Sequence, residues 1–372
     1  MSPKLSRRDF LKLSSLAVGA AAFTTLSPAD LRLAQPQTSL GRVAIVKARV
    51  LNRPNRLGET LGYVERDDVL EVYRNVVGEG FYPHNHVWTE IPQGFVYSSW
   101  VQPVKNEIQI PVTVLLEGGF FAEVSVPFTS ARTAPDPNAQ FVYFSVDPTG
   151  DSADNLEYQS RLYYSAVFKI DQIVTAAQGG VWYRVQNDQF PAFFWVQGQH
   201  LRPIQPDEIS PLSPNVNNKT VVADVKTNWL SAYEGQTEVF RTRIASGASF
   251  FAPDGSERAG IKAGGTYNIY SKRITRHMAG GVFPKGFDLP GIGWVSYWHA
   301  GAAIHSTYWH NDFGRPRSHG CLNCSPTAAK WLFRWTTPLV EYDIGKIEVT
   351  WDDRGSIVDI QGEPPPLQGD AG

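Results

Sequence analysis

The sequence predicts a mainly β protein built from several small domains. Its 372 residues are enough for two or three domains. Hydrophobic residues make up 42% of the chain and charged residues 19%, a balance typical of ordered globular proteins. The 32 glycines and 26 prolines separate short runs of aromatic and β-branched residues, which favours strands and turns over long helices. The formal net charge of −2 gives no global basic field, so we expect no nucleic-acid partner.

Residues 1–40 indicate an export signal followed by a linker. Arg7 and Arg8 lie in a Ser-Arg-Arg-Asp-Phe-Leu-Lys pattern that is typical of twin-arginine signals. The apolar run at residues 13–25 is too short for a comfortable membrane span, and no cysteine follows it to carry a lipid anchor. We expect export to the cell wall, a periplasm-like space or the outer face of the membrane, with membrane contact only through an uncleaved signal. A cytosolic amphipathic N-terminus is the alternative.

Residues 41–106 and 107–205 each predict a small β barrel. Short apolar runs bounded by Gly and Pro fill the first segment, and the same order recurs loosely in the second, with a longer insertion around residues 150–159. Short strands with a Trp and a Gly-aromatic closing strand resemble bacterial SH3-like barrels. The resemblance implies two SH3-like domains in tandem.

Two tryptophans and two histidines of these barrels have side chains whose exposure bears on function. Trp100 and Trp195 could stack on glycan if their rings were exposed, but a Trp in such a barrel more often packs in the core. His84 and His86 are expected on surface loops of the first barrel.

A linker rich in Pro, Ser and Asn at residues 206–218 separates the barrels from a third domain, expected at residues 219–353. The run at 279–293 is rich in Gly and Pro and predicts a long loop, and loops of that length are usually functional. Residues 347–351 alternate apolar and polar side chains, as in a final strand. The remaining residues, 354–372, are expected to be a flexible tail.

One stretch, residues 304–326, holds both cysteines and three of the eight histidines. A thiol is a nucleophile only as thiolate, so it needs a base or a positive field beside it. His305 and His319 are candidate bases. Ser325, followed by Pro, predicts the N-cap of a helix just behind Cys321, where the helix dipole would lower the pKa of the thiol.

The pair Cys321 and Cys324 has three possible interpretations. A thioredoxin-like redox pair belongs at the first helix of a βαβ unit, and the strand-rich context argues against it. A zinc site could use both cysteines with His305, His310 and His319, but structural zinc sites usually show two such cysteine pairs. A catalytic Cys321 beside an incidental Cys324 fits best, so we expect neither metal nor cofactor. Oxidation to a Cys321–Cys324 disulfide could then switch activity off.

The order of residues in this stretch resembles the signature of the L,D-transpeptidases, whose catalytic domain is of the YkuD type. The matching positions are His305, then Ser318, His319, Gly320, Cys321 and Asn323. The resemblance covers the C-terminal third of the chain. It implies a YkuD-type β-sandwich with a short helix after the nucleophile, and a lid formed by the loop at 279–293.

The resemblance also implies acyl transfer through a thioester, with peptidoglycan stem peptides as donor and acceptor. Cys321 would attack the carbonyl of the residue that precedes a terminal D-amino acid in a tetrapeptide stem. D-alanine would leave, and an amine of a neighbouring stem would take the acyl group to form a cross-link. Two alternatives are a cysteine peptidase of the NlpC kind, in which the Cys usually precedes the His, and a wall-binding protein without catalysis.

The expected catalytic residues have distinct roles. One of His305 and His319 should take the thiol proton, and His305 is favoured. Ser306 would orient an imidazole, through its backbone carbonyl more than through its hydroxyl. The backbone N–H groups of His319, Gly320 and Cys321 are candidates for the oxyanion hole. The expected substrate-binding residues are Arg315 and Arg317, which suit carboxylates, and Tyr297, Trp309, Ser318 and Asn323.

Overall fold

The structure, a computed structural model, describes residues 39–144, 156–177, 179–189, 192–251, 257–261, 264–280, 287–318 and 320–363. The predicted export signal, His319 and residues 364–372 of the predicted tail lie outside the described residues, so the expectations placed on them stay predictions. Strands dominate the described residues, which confirms a mainly β fold. In that part of the chain no helix is both long and apolar enough to cross a bilayer.

The first β region, residues 39–104, contains two sheets. One has the strand order β4-β1-β8 and the other β3-β2-β7-β6-β5. Trp100 packs its ring 4.8 Å from that of Phe81, so it contributes to packing rather than presenting a free face for glycan. The strands are β1 Ser39–Val43, β2 Lys47–Leu51, β3 Thr60–Glu65, β4 Val69–Val72, β5 Arg74–Tyr82, β6 Asn85–Ile91, β7 Gly94–Tyr97 and β8 Val101–Val104.

The second β region, residues 120–203, has a five-stranded sheet of order β14-β13-β12-β9-β15 and a two-stranded sheet β10-β11. Trp195 is only 7% exposed, so its ring is packed in the core, as the sequence favoured. The strands are β9 Phe120–Val124, β10 Phe128–Ser130, β11 Arg161–Tyr163, β12 Val167–Thr175, β13 Val181–Gln186, β14 Phe193–Gln197 and β15 Leu201–Pro203, and helix α1 is Leu156–Gln159.

The two β regions close in the same way. In each, a strand leads into a 3₁₀ turn, at Ser98–Trp100 or Gly198–His200, and then into a short last strand. That last strand pairs antiparallel with the first strand of its own region, β8 with β1 and β15 with β9. The recurring order inferred from the sequence is therefore present in the fold. The SH3-like assignment and the domain boundaries remain predictions.

The C-terminal β region, residues 219–361, is a sandwich of two five-stranded sheets with the orders β18-β17-β16-β27-β21 and β25-β24-β23-β22-β26. Helix α2, Pro326–Trp335, packs Leu332, Phe333 and Trp335 into the core between them. The strands are β16 Lys219–Asp224, β17 Trp229–Glu234, β18 Thr237–Arg243, β19 Ser249–Phe251, β20 Glu257–Ala259, β21 Gly265–Asn268, β22 Ser271–Gly280, β23 Phe287–His299, β24 Ala302–Ser306, β25 Leu322–Cys324, β26 Lys346–Glu348 and β27 Ile357–Gln361.

Helix α2 begins where the sequence predicts it. The side chain of Ser325 caps it by accepting a hydrogen bond from the N–H of Ala328, and Pro326 occupies the first turn. At the other end, Nζ of the buried Lys272 lies 2.6 Å from the carbonyl oxygen of Phe333 and 2.7 Å from that of Thr336. Its amine therefore satisfies carbonyls that the helix itself leaves unpaired.

Two expectations about this region are wrong. The predicted tail contains β27, which lies between β16 and β21 and buries Val358 and Ile360. The alternation Ile-Val-Asp-Ile-Gln gives β27 one apolar face. Strand β27 also supplies the backbone hydrogen-bonding groups that pair with both β16 and β21. The predicted loop at 279–293 is the end of a long hairpin, because β22 runs to Gly280 and β23 begins at Phe287. Leu289 in β23 is buried, which holds this part of the run in the sheet despite its Gly and Pro content.

The second β region packs on the outer face of the sheet that contains β22, β23 and β24. Phe168 and Phe194 of the second β region share a core cluster with Ile292, Val295 and Ala303. The inner face of the same sheet forms the sandwich core. The outer face therefore lies in a sheltered position between two domains.

Candidate active site

His305 and Cys321 lie on neighbouring strands of one sheet. His305 is in β24, which pairs in parallel with β25 so that His305 faces Asn323, and Cys321 immediately precedes β25. A strand spacing of about 4.8 Å and a rise of about 3.3 Å per residue put the Cα atoms of His305 and Cys321 about 8 Å apart. The alternation of side chains then places the thiol and the imidazole on the same face of the sheet.

The imidazole of His305 is held in one tautomer. Its Nδ1 lies 2.9 Å from the carbonyl oxygen of Ser306, and a carbonyl can only accept, so Nδ1 carries the proton. Burial lowers the pKa of His305 to about 4, against the opposing effect of this hydrogen bond. At neutral pH His305 is therefore an uncharged imidazole whose Nε2 can take a proton. The Ser306 carbonyl is thus the atom that contacts the imidazole, while the Ser306 hydroxyl accepts from the N–H of Gly293 at 3.0 Å. A catalytic role of Ser306 stays a prediction.

Cys321 is a free, partly exposed cysteine. Burial of the thiol raises its pKa to about 11, although a backbone hydrogen bond with Ala303 acts in the other direction. The expected lowering by the helix dipole is wrong, because α2 begins at Pro326 and strand β25 separates Cys321 from its first turn. The described contacts include no hydrogen bond between the sulfur and His305. The pair therefore rests as thiol and neutral imidazole.

Cys324 lies on the opposite face from Cys321. It is fully buried in the sandwich core, whereas Cys321 packs against the cluster on the outer face. This arrangement argues against a Cys321–Cys324 disulfide and against zinc ligation by both sulfurs.

The backbone before Cys321 makes a tight turn. Gly320 has φ 153°, and a Cβ there would lie 2.5 Å from the carbonyl oxygen of Gly260. The Ser318 hydroxyl donates to the carbonyl of Cys321 at 2.6 Å and accepts the N–H of Gly320 at 3.2 Å. Ser318 therefore braces the turn, and neither the expected substrate contact of Ser318 nor the expected oxyanion role of the Gly320 N–H fits this geometry. The N–H of Cys321 has no acceptor in the described part of the chain and stays a candidate donor.

A segment that the sequence analysis missed supports this turn. The backbone of Ala245 exchanges two hydrogen bonds with Asn323, each 2.9 Å long. The carbonyl of Ser246 accepts from the N–H groups of Arg317 and Ser318 at 2.9 and 3.1 Å. A Cβ at Gly247 would lie 2.8 Å from the Cα of Gly320, so only glycine allows this approach. The run of small residues Ala-Ser-Gly-Ala was the available signal.

Arg315 and Arg317 converge on Asp312 rather than on an open cleft. Arg315 is only 9% exposed and hydrogen-bonds Asp312 through Nε, so the substrate contact expected of it is wrong. Nη1 of Arg317 lies 3.0 Å from Oδ2 of Asp312. Burial would raise the pKa of Asp312, but the hydrogen bond from His84 and the charges of both arginines hold it well below its usual range. An acidic residue followed at i+3 and i+5 by Arg was a signal for this cluster.

His84 belongs to the same cluster. Its Nε2 lies 2.7 Å from Oδ1 of Asp312, and its side chain is only 9% exposed. The expectation that His84 is a remote surface residue is therefore wrong. His86, two positions on, is exposed as expected.

Asn323 is buried and braces the site rather than binding substrate. Its amide lies 3.2 Å from Nε2 of His310. Nδ1 of His310 accepts the N–H of Asp312 at 3.2 Å, so Nε2 carries the proton. The atom placed nearest to it is the Asn323 Nδ2, also a donor, so a flipped amide would satisfy both groups by turning the Asn323 oxygen, unpartnered among the described residues, toward that proton.

Tyr297 and Trp309 flank the two reactive groups. Tyr297 faces Ala303 across β23 and β24, and both Tyr297 and Trp309 pack with Cys321 against the same cluster. The ring centroid of Trp309 lies 6.0 Å from that of His305. Burial raises the pKa of Tyr297, and the nearby charge of Arg276, which also hydrogen-bonds it, acts against this rise. These positions fit the predicted cleft wall, and contact with substrate remains a prediction.

Residues 218–360 match the family model described as YkuD, the L,D-transpeptidase catalytic domain. A search of curated proteins found no match. An L,D-transpeptidase structure from Stackebrandtia nassauensis is 20% identical, with a TM-score of 0.28, over 44% of this chain and 63% of that one. One from Xylanimonas cellulosilytica is 23% identical, with a TM-score of 0.27, over 40% and 62%. One from Mycobacterium smegmatis is 17% identical, with a TM-score of 0.28, over 49% and 99%. The chain thus spans less than two thirds of the first two structures, and its similarity to this family rests on the family model.

Proposed function

We propose that the protein cross-links peptidoglycan stems through a thioester on Cys321, starting from the match of residues 218–360 to the family model of the YkuD L,D-transpeptidase catalytic domain. The observation that carries the proposal is the pairing of β24 with β25. It sets Cys321 and the neutral, oriented His305 side by side on one face. A nucleophile and a base with a fixed tautomer are the minimum that acyl transfer needs.

In the first half of the reaction, Nε2 of His305 takes the thiol proton as the sulfur attacks the carbonyl carbon before the terminal D-amino acid. The backbone N–H of Cys321 faces the developing oxyanion, and one such donor contributes about 3 kcal/mol in comparable acyl-transfer sites. His305 returns the proton to the leaving amine, and D-alanine departs. The product is a thioester between the stem peptide and Cys321.

In the second half, the side-chain amine of a neighbouring stem attacks the thioester. His305 takes a proton from that amine, the C–S bond breaks, and the proton returns to the sulfur. The site is sheltered by the second β region, which favours transfer to an amine over hydrolysis by keeping water from the thioester.

A cation more exposed than Arg315 is the better candidate for binding a carboxylate of the stem. Arg276 in β22 is partly exposed and hydrogen-bonds both Asp188 and Tyr297. Tyr297 in turn lies beside Cys321. We propose that the Arg276 guanidinium binds a carboxylate of the stem, with Tyr297 and Trp309 as walls of the cleft.

The test is to incubate the full-length protein with disaccharide-tetrapeptide stems and to follow D-alanine and stem dimers by mass spectrometry. The proposal expects both products from the wild type and from the control Cys324→Ala, and neither from Cys321→Ala. D-alanine without dimers would indicate a cysteine peptidase instead. Full turnover by Cys321→Ala would eliminate the thioester mechanism.

Export by the twin-arginine route is part of the proposal and is supported by the pattern around Arg7 and Arg8. Replacing both with lysine should leave the protein inside the cell. Unchanged export of that variant, measured by fractionation, would overturn this part.

A further inference from the structure

The loop between the two reactive residues is held by the first β region. We define the catalytic loop as residues 307–317, which connect β24 to the turn before Cys321. Among the described residues, hydrogen bonds and a cation–π contact join it to the first β region. Arg42 Nη2 donates to the Tyr308 carbonyl at 2.7 Å, Asn311 Nδ2 donates to the carbonyls of Ser98 and Val101 at 3.1 and 2.9 Å, His84 Nε2 lies 2.7 Å from Asp312 Oδ1, and the Arg315 guanidinium lies 4.3 Å from the centroid of the Tyr82 ring.

Among these contacts, His84 bonds the carboxylate of Asp312. The His84 ring itself is held by neighbouring groups on two sides. Its ring stacks on Tyr82 with centroids 5.6 Å apart and an angle of 24°. On the side of the loop, a Cβ at Gly314 would lie 3.1 Å from His84, so the ring leaves little room. Since a carboxylate oxygen can only accept, Nε2 of His84 is the donor to Asp312. The imidazole therefore holds Oδ1 of Asp312, while Arg315 and Arg317 contact Oδ2.

The contacts of Asp312 lead to the reactive residues. The N–H of Asp312 fixes the ring of His310, and Nε2 of His310 faces the amide of Asn323. Asn323 is two residues after Cys321 and pairs with His305 across the parallel strands. A series of hydrogen bonds thus runs from His84 in the first β region to Asn323 in β25, the strand that follows Cys321. Buried polar networks of this kind fix geometry, because each unsatisfied member is costly.

We propose that His84, in the first β region, is a positioning residue for acyl transfer in the C-terminal β region. By holding Asp312, it fixes His310 and Asn323, and with them the distance between the base and the nucleophile. The kinetic test of this inference rests on the proposed function, because it measures D-alanine release. The inference assigns the first β region a role in positioning the reactive residues, in addition to any role in binding the cell wall.

The experiment compares His84→Ala, the conservative variant His84→Gln, and His86→Ala as the matched control in the same β5–β6 hairpin. Each full-length protein is assayed for kcat and KM of D-alanine release, for the rate of Cys321 alkylation by iodoacetamide, and for Tm. A small displacement of the reacting groups lowers kcat, so His84→Ala should lose on the order of tenfold or more in kcat with KM within about twofold. Its alkylation rate should also change, since the thiol is less well held. His84→Gln keeps an N–H donor and should recover most of the loss.

Three results would overturn the inference. The first is an unchanged kcat in His84→Ala. The second is a loss of activity in that variant no larger than its loss of folded protein, and the third is a kcat in His84→Gln as low as that of His84→Ala. If the wild type released no D-alanine, the proposed function would fail, and the alkylation rates would still decide the role of His84. A wild-type alkylation rate in His84→Ala would then count against it.

Discussion

Nδ1 of His305 donates its proton to the carbonyl oxygen of the adjacent Ser306 at 2.9 Å. This single bond leaves Nε2 unprotonated on the face that carries Cys321. Burial, which lowers the pKa of His305 to about 4, keeps the ring uncharged at neutral pH. The resting site is therefore a thiol beside a base, and the thiolate forms only as the base takes its proton.

The rate of substrate acylation should depend on pH through His305. A protonated imidazole cannot accept the thiol proton, so kcat/KM should fall as pH decreases through about 4 and stay level at neutral pH. The measurement is the pH profile of D-alanine release. His305→Ala should lose at least about a hundredfold in kcat/KM. As a control, replacement of the exposed His299 by Ala should leave the wild-type pH profile unchanged. If kcat/KM of the wild type instead fell as pH decreased through about 6.5, the base would not be the buried, neutral His305.

The free thiol should be slow to alkylate at neutral pH. Its pKa of about 11 leaves little thiolate, so the rate of reaction with iodoacetamide should keep rising with pH beyond the range of an ordinary thiol. The check is the alkylation rate from pH 6 to 10, with Cys321→Ala as the background. A plateau below pH 7 would mean that a thiolate–imidazolium pair already exists in the free enzyme.

Acid should unfold the C-terminal β region partly through His305. Its folded pKa lies below that of the unfolded chain, so the unfolded state binds more protons between pH 6.5 and 4. The stabilising effect is complete above about pH 6.5 and is lost as pH falls through 4, a loss of about 3 kcal/mol. Urea unfolding of the wild type and of His305→Gln at pH 7 and pH 4 tests this. The variant should lose less stability over that interval, and equal losses would refute the assignment.

Gly320→Ala should damage both the fold of the turn and the reaction. The added Cβ would lie 2.5 Å from a backbone oxygen, at a φ of 153° that side chains rarely adopt. Strain of this kind costs about 1–3 kcal/mol. We expect lower stability and a kcat/KM reduced by about a hundredfold, because the thiol moves. Gly62→Ala is the control, since nothing lies within 4 Å of its Cβ, and wild-type turnover in Gly320→Ala would contradict the description of this turn.

Mild oxidation should not join Cys321 to Cys324. The two sulfurs lie on opposite faces of the sheet, and Cys324 is fully buried. After treatment with diamide, peptide mapping should find no linked Cys321–Cys324 peptide in the native protein. Such a peptide would revive the disulfide switch considered from the sequence.

The features that the sequence predicted correctly are local in the chain. The cap at Ser325 and the helix that follows it each depend on a few consecutive residues, whose backbone hydrogen-bonding needs can be inferred directly. The features it missed depend on distant contacts. His84 and Asp312 are 228 positions apart, and no local pattern brings them together. Strand β27 was missed for the same reason, since its pairing with β16 comes from the other end of the domain.

Arg315 shows why residue type alone misleads. An arginine near a cleft suits carboxylate binding, but here a carboxylate of the protein itself, Asp312, already occupies its guanidinium. The sequence contained both residues three positions apart. Only the buried position of the loop under the first β region shows that the partner is internal.

The most direct test of the account is the intact mass of the protein after brief incubation with a tetrapeptide stem and no acceptor. We predict a mass increase equal to the stem minus D-alanine, mapped to Cys321, present in Cys324→Ala and absent in Cys321→Ala. Release of D-alanine from a protein whose mass never changes, or an adduct on another residue, would contradict the thioester on Cys321.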